Sequence, residues 1–268
     1  MSSFVYKYID TWDKAYLVCN LLRQGTYHVM AFDLEGVNLG RQGQVTLLQL
    51  AVDESCVFCF DILMLGPALL GQNFLGPLFM SPHMVKLCFD CRVDGDVLHT
   101  HFGIHIPHVY DIQVLYTMLF QANNDRFLKG LRHVLQTSGI ISCPYRLHHI
   151  LAAKTKIKTL MTANANLFQM RPVTTELLQY CSSDVVFLLR MYRHWHHLIP
   201  HAKIVDLSMG RLNRFLNRTS EIPSKQMSIL DFNISNISSP SQQVFNIGPP
   251  HPPSIPQSST TIITSSQQ

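Results

Sequence analysis

The chain lacks an uninterrupted apolar run. The stretch from Met1 to Cys19, "MSSFVYKYIDTWDKAYLVC", has neither a basic start followed by an apolar signal core nor a membrane span. A second apolar stretch, "FCFDILMLGPALLGQNFLGPLFM", is interrupted by Asp61, Gln72, Asn73 and several Gly and Pro. The expectation is a soluble, intracellular protein, cytoplasmic or nuclear. An even cysteine count is also missing: seven thiols without an export signal argue for reduced cysteines over a disulfide framework. The pairs Cys56/Cys59 and Cys88/Cys91 have the look of zinc knuckles, but they lie in or just after strand-like runs, where residues three apart point to opposite faces. The fourteen histidines, seven of them in the clusters "HTHFGIH" and "HWHHLIPH", have no partner at ligand spacing in a turn and read as surface or hydrogen-bonded side chains. Strong charge of either sign is absent, and +4 suits a nucleic-acid partner without requiring one. The glycines of "GVNLGRQG" match neither the dinucleotide nor the Walker spacing, so that segment reads as a hairpin turn.

What the chain does have is apolar mass: 47% of 268 residues is hydrophobic, enough for a sizeable core. Its composition breaks at residue 222. From there Ser, Pro, Gln, Asn, Ile and Thr dominate and offer too little apolar surface to offset ordering entropy. The reading is one globular domain, 1–221, and a disordered tail, 222–268.

Within the domain the periodicity predicts a helix over about 11–23, then strands in "YHVMAFDLEG", "QVTLLQLAV" and "SCVFCFDI". Their links leave no room for crossover helices, so these three strands form an antiparallel meander. Alternation follows: a helix over 67–79, a strand "HMVKLCF", a helix over 92–102, a strand "HVYD" and a helix through "IQVLYTMLF". That pattern implies parallel strands added to the same sheet, with helices on its faces. The remainder is helical, ending in a long helix over about 174–198. The fold class is therefore α/β with a mixed sheet.

The chemistry starts from "AFDLEG", which sets two carboxylates inside a strand. Positions i and i+2 face the same way, so Asp33 and Glu35 project side by side while Phe32 and Leu34 point to the opposite layer. Such a pair is costly without a cation, and oxygen-only ligation suits Mg2+ or Mn2+ better than zinc. In "LLQYCSSDVVFLL", Tyr180 and Asp184 stack one turn apart on a helix face flanked by apolar residues. If that helix crosses the sheet near Asp33, Asp184 becomes a third ligand. In "CFDCRVDGDVL", Asp90, Asp94 and Asp96 lie at a strand-to-helix junction, where the helix dipole alone favours acids. Lys154, Lys156 and Lys158, or Arg126, Lys129 and Arg132, suit a phosphate backbone, and a solvated helix face accounts for either set equally well.

In this order, "DLEGVNL", "FDCRVDGDVL", "VYDIQ" and "MRPVTTELLQYCSSDVVFLLRMY" resemble the DEDD exonucleases that carry a tyrosine in the third motif, over about residues 30–195. That group includes ribonuclease D and the Werner-syndrome exonuclease domain, and the likeness is greatest to the Egalitarian-like, 3′-5′ exonuclease domain-containing branch. The resemblance implies a ribonuclease H-like fold. It also implies a catalytic set of Asp33, Glu35, Asp94, Tyr180 and Asp184, in which the four carboxylates hold two Mg2+ or Mn2+ ions and Tyr180 orients the attacking water. Asp90 and Asp96 are expected as helix-start or surface acids, and Asp111 as a structural cap.

The implied activity is 3′-5′ hydrolysis of single-stranded nucleic acid, RNA before DNA. The alternatives are a catalytically silent RNA-binding adaptor of the Egalitarian type and a DNA-repair exonuclease. "KQMSILDFN" in the tail partly matches a clamp-binding peptide, spoiled by Asn233, and makes the tail a candidate site for a protein partner.

Overall fold

A computed structural model describes residues 4–121, 125–220, 222 and 224–232. The predicted meander is present: β2 (Val29–Val37), β3 (Gln44–Ala51) and β4 (Cys56–Asp61) pair antiparallel in sequence order. A bulge between Glu35 and Gly36 ends the regular register. The turn that follows needs unusual backbone: Asn38 and Gly40 have φ of 49° and 152°, and any Cβ on Gly43 would collide with the Asn38 carbonyl.

Strands β5 (Val85–Cys88) and β6 (Val109–Asp111) extend the sheet in parallel beyond β2, as the alternation predicts. On the other edge β1 (Val5–Ile9) pairs parallel with β4. The sequence reading assigns no strand there. "VYKYI" is short, carries a lysine between two tyrosines and buries only Ile9, so it becomes a strand through its partner more than through its own pattern. The sheet order is β1-β4-β3-β2-β5-β6.

Two helical layers cover it. On one face lie α1 (Trp12–Gln24), α2 (Ile62–Leu65), α3 (Gly76–Met80) and α4 (Arg92–Phe102), packed on Met30, Phe32, Leu34 and Phe60. The single helix expected over 67–79 is instead α2, one 3-10 turn at Pro67–Leu70, and α3. Gly66 sits at φ 74°, and Gly71 and Gly76 close successive turns through the Ala68 and Gly71 carbonyls, so the three glycines cut the apolar run into corners.

The opposite face carries α5 (Ile112–Phe120), α6 (Leu131–Thr137), α7 (Pro144–Ala163) and α8 (Thr175–Trp195), packed on Ala31, Leu47, Cys59 and Leu87. Helix α9 (His201–Leu216) closes the β6 edge, with Ile204 in one layer and Leu212 in the other. Arg171, just before α8, binds the fully buried Asp61 of β4 through Nη2 to Oδ1 at 2.7 Å and ties the helix start to the sheet.

The composition break at 222 does not mark the end of packed chain. Residues 224–232 form the turn α10 (Ser224–Met227), bridge Ile229 to Phe127, and set Asp231 against Arg211 at 2.9 Å. Composition misses this because two ion pairs and a bridge substitute for apolar burial. Residues 233–268, and with them Asn233, lie outside the described residues. Among the described residues no helix is long and apolar enough to cross a membrane, and the seven cysteines carry no disulfide.

Candidate active site

Strand alternation delivers the carboxylate pair as expected. Phe32 and Leu34 are buried in the layer of α1 to α4, while Asp33 and Glu35, half-buried, turn to the layer of α8. Helix α8 begins on a Thr174 cap, whose hydroxyl accepts from the Leu177 N–H at 3.2 Å. It then buries Leu177, Leu178, Cys181 and Val185 on the sheet. That face carries Asp184 to β2, and one carboxylate oxygen each from Asp33, Glu35 and Asp184 lie within 4.8 Å of one another. Among the described residues this is the one group of three or more Cys, His, Asp or Glu side chains so placed.

Asp94 enters from the first turn of α4 and is buried. Charge on Asp33 acts on it, and its own charge acts on Glu35, so it joins the same acidic field. The Leu34 N–H draws both the Asp33 and the Asp94 carboxyls downward. Of the five residues named from the sequence, Asp33, Glu35 and Asp184 meet within 4.8 Å, while Asp94 and Tyr180 are linked to them through the charges that act between them.

The electrostatics express the cost of that convergence. Burial lifts Asp33 to about 7, with Lys154 and the Leu34 N–H pulling the other way. Glu35 and Asp94 stand well above the usual carboxylate range, from burial first and then from their acidic neighbours. Tyr180 is raised for the same reasons, burial and then the Glu35 charge, so its hydroxyl remains a donor at neutral pH. A set of oxygen donors that repel one another in a poorly solvated place fits a hard divalent cation.

The sequence reading puts one residue here in the wrong surroundings and misses another. Lys154 of α7 is not on a solvated face: it is buried, its Nζ pairs with the Asp184 carboxylate, and it stands 4.9 Å from the centre of the Tyr180 ring. Burial lowers it to about 8 against the pull of Asp33 and Glu35. The signal for it was present, since Leu147, Ile150, Lys154 and Ile157 form a 3-4-3 stripe with one charge in it. Gln49 is the other. It lies opposite Asp33 in the β2–β3 register and is fully buried, and among the described residues neither amide atom has a hydrogen-bond partner.

The remaining acids are held by arginines. Asp90, at φ 60°, takes Arg92 Nε at 2.6 Å, and Asp96 is buried between Arg41 and Arg218 at 3.1 and 2.8 Å. Asp111 caps α5 by accepting from the Gln113 N–H and pairs with Arg211 at 2.8 Å. Asp96 is therefore interior and not a surface acid. Of the basic sets, Lys156 pairs with Glu176 on the exposed side of α7, and Lys158, Arg126 and Arg132 are exposed.

A mixed sheet with this order and helices on both faces is the ribonuclease H-like architecture of RNase D. The Trypanosoma brucei RNase D structure superposes with a TM-score of 0.69 at 22% identity, covering 82% of this chain and 76% of that one. The same enzyme in complex with RNA U12 gives 0.67 at 20% identity, covering 84% and 78%. The 3′-5′ exonuclease family model matches residues 6–199, and the chain belongs to that family.

The match is wider than the 30–195 expected, because β1 and α1 are part of it. Among its relatives are the piRNA biogenesis protein EXD1 of Xenopus laevis, 27% identical over 76% of this chain and 45% of that protein, and the Egalitarian protein homolog of Caenorhabditis elegans, 26% identical over 64% and 29%. The chain spans less than half the length of these relatives.

Proposed function

We propose that the protein is a metal-dependent 3′-5′ exonuclease of single-stranded nucleic acid, acting on RNA before DNA. The observation that carries this reading is the meeting of Asp33, Glu35 and Asp184 within 4.8 Å, with Asp94 and Tyr180 in the same electrostatic field. Asp33, Glu35 and Asp184 would hold Mg2+ or Mn2+, and Asp94 would complete the donors for a second ion. The ions, when bound, supply water activation and charge neutralisation at the scissile phosphate.

The chain's own contribution is positional. The carboxylates sit on the regular backbone of strand β2 and helix α8, which would set them before substrate arrives. The Tyr180 hydroxyl is a donor within this field and would orient the attacking water. Its ring, packed among apolar residues of α8, limits the freedom of that hydroxyl.

The preference for RNA draws on the T. brucei RNase D complex with RNA U12 and on the piRNA biogenesis role in the EXD1 name. An adaptor that binds RNA without cutting it is the second reading. It draws on the Lys154–Asp184 pair, which lowers the charge of the site without any divalent ion.

One assay decides between them: 3′-labelled and 5′-labelled single-stranded RNA and DNA, incubated with Mg2+, Mn2+ or chelator, beside Asp33→Ala. The expected result is metal-dependent shortening from the 3′ end, lost by at least 100-fold in the variant (roughly the weight of a directly acting group). Binding with no shortening, unchanged by the substitution, selects the adaptor. Shortening confined to DNA selects the repair reading.

A further inference from the structure

Helix α7 lies over the acidic site and reaches it with one charged side chain. Of its 20 residues only Lys154 and Ile157 are buried, and, three apart, they share a face with the partly buried Leu147 and Ile150. Tyr145, Leu160 and Met161 stay exposed. The attachment of this helix to the domain is therefore narrow, and its deepest polar anchor is the Lys154–Asp184 pair.

The ammonium of Lys154 faces the donor set itself. It pairs with Asp184, the charges of Asp33 and Glu35 act on it, and it stands 4.9 Å from the Tyr180 ring. Those three carboxylates are the ones whose oxygens lie within 4.8 Å of one another. Three carboxylate oxygens this close together are set to share one cation. A divalent ion and an ammonium there would repel at a few ångströms, in surroundings that screen poorly.

We propose that Lys154 is the resident cation of this site, and that a divalent ion binds Asp33, Glu35 and Asp184 only by displacing it, which frees the inner face of α7. The inference rests on the metal reading above and adds a control to it. In the metal-free protein Lys154 neutralises part of the acidic field and holds α7 down. Loading with metal moves the side chain toward solvent, so that metal entry and loosening of α7 are one event. The position is set by the 3-4-3 stripe, which leaves the lysine no other face while α7 is seated.

The test is Mn2+ titration calorimetry on the full chain, comparing wild type, Lys154→Met and, as a control on the exposed side of the same helix, Lys156→Met. Lys154→Met is expected to bind Mn2+ about tenfold more tightly or better, and to melt at a lower temperature without metal. Lys156→Met should match wild type in both. A second measurement needs no variant: amine acetylation of the wild type, read by mass spectrometry. Lys154 should be protected in chelator and should become reactive, as Lys156 already is, when Mg2+ or Mn2+ is added.

Equal Mn2+ affinity in wild type and Lys154→Met overturns the inference and leaves the metal reading intact. Protection of Lys154 that persists with Mn2+ bound does the same, and it decides the matter if Lys154→Met does not fold. Absence of Mn2+ binding in every chain overturns both readings.

Discussion

At the scale of single residues, the cost of buried charge decides what can be predicted. Lys86 on β5 is fully buried, and its Nζ donates to the Ser81 carbonyl. Burial lowers its pKa from the ordinary 10.5 to about 8. Below pH 8 both folded and unfolded chains carry this proton, and the full penalty of burying the charge is present. Between pH 8 and 10.5 the unfolded chain binds more protons than the folded one, so this group's contribution to stability rises with pH. Lys86→Met is therefore expected to exceed wild type in urea stability below pH 8, by on the order of 1 kcal/mol, and the difference should shrink as the pH is raised toward 10. A difference that stays constant over that range would show that the lysine is not under this strain. The contrast with Lys154 is instructive: both lysines are buried, but only Lys154 has a carboxylate beside it.

Among the elements, α9 and the segment after it depend on one side chain. Arg211 is 1% exposed and binds Asp111 at 2.8 Å, Gln113 Oε1 at 3.2 Å and Asp90 at 3.3 Å, with Asp231 at 2.9 Å. It thus joins α9 to the end of β6, to the strand-to-helix corner before α4, and to residues 224–232. Removing one partner of a buried ionic group strands the others, at a typical cost of about 3–5 kcal/mol. Arg211→Met should lose that much in denaturant unfolding, and Phe232, whose ring lies 5.5 Å from the guanidinium, should become accessible to protease in the same variant. A loss under 1 kcal/mol would mean that this network is not what holds α9 (roughly the level of a surface change). A neighbouring element shows why helices can be read in place and misread in length. Arg92–Phe102 was legible to the residue because Gly103 stops it in a left-handed turn at φ 65°. The run after Asp61 was not, because three glycines there make corners that apolar periodicity conceals.

For the whole molecule, the carboxylates of β2, α4 and α8 form a single electrostatic unit that folding assembles at a cost and a divalent cation would relieve. At an Mg2+ or Mn2+ concentration about 100 times the dissociation constant, the folded state gains roughly 2.7 kcal/mol. For a domain of this size that corresponds to a rise of about 5–10 °C in Tm. Differential scanning fluorimetry in Mn2+ against chelator measures it, and the rise should vanish in Asp184→Asn. A flat response to millimolar Mg2+ and Mn2+ would remove the metal site.

The sequence by itself determined the local facts of this protein. A period of two places Asp33 and Glu35 on one face of a strand, and a turn of helix places Tyr180 over Asp184. Short links force the meander. What surrounds those residues was decided only by the tertiary structure. The sequence marks Lys154 as a charge within an apolar stripe but says nothing of what lies opposite, and the answer, Asp184, is thirty positions away on another helix. Likewise, composition assigns 224–232 to the tail, while Arg92 and Arg211, far upstream, hold it on the domain. Backbone geometry repeats over a few residues and can be read locally. The neighbour of a buried charge is set by how distant segments pack, and no local period encodes it.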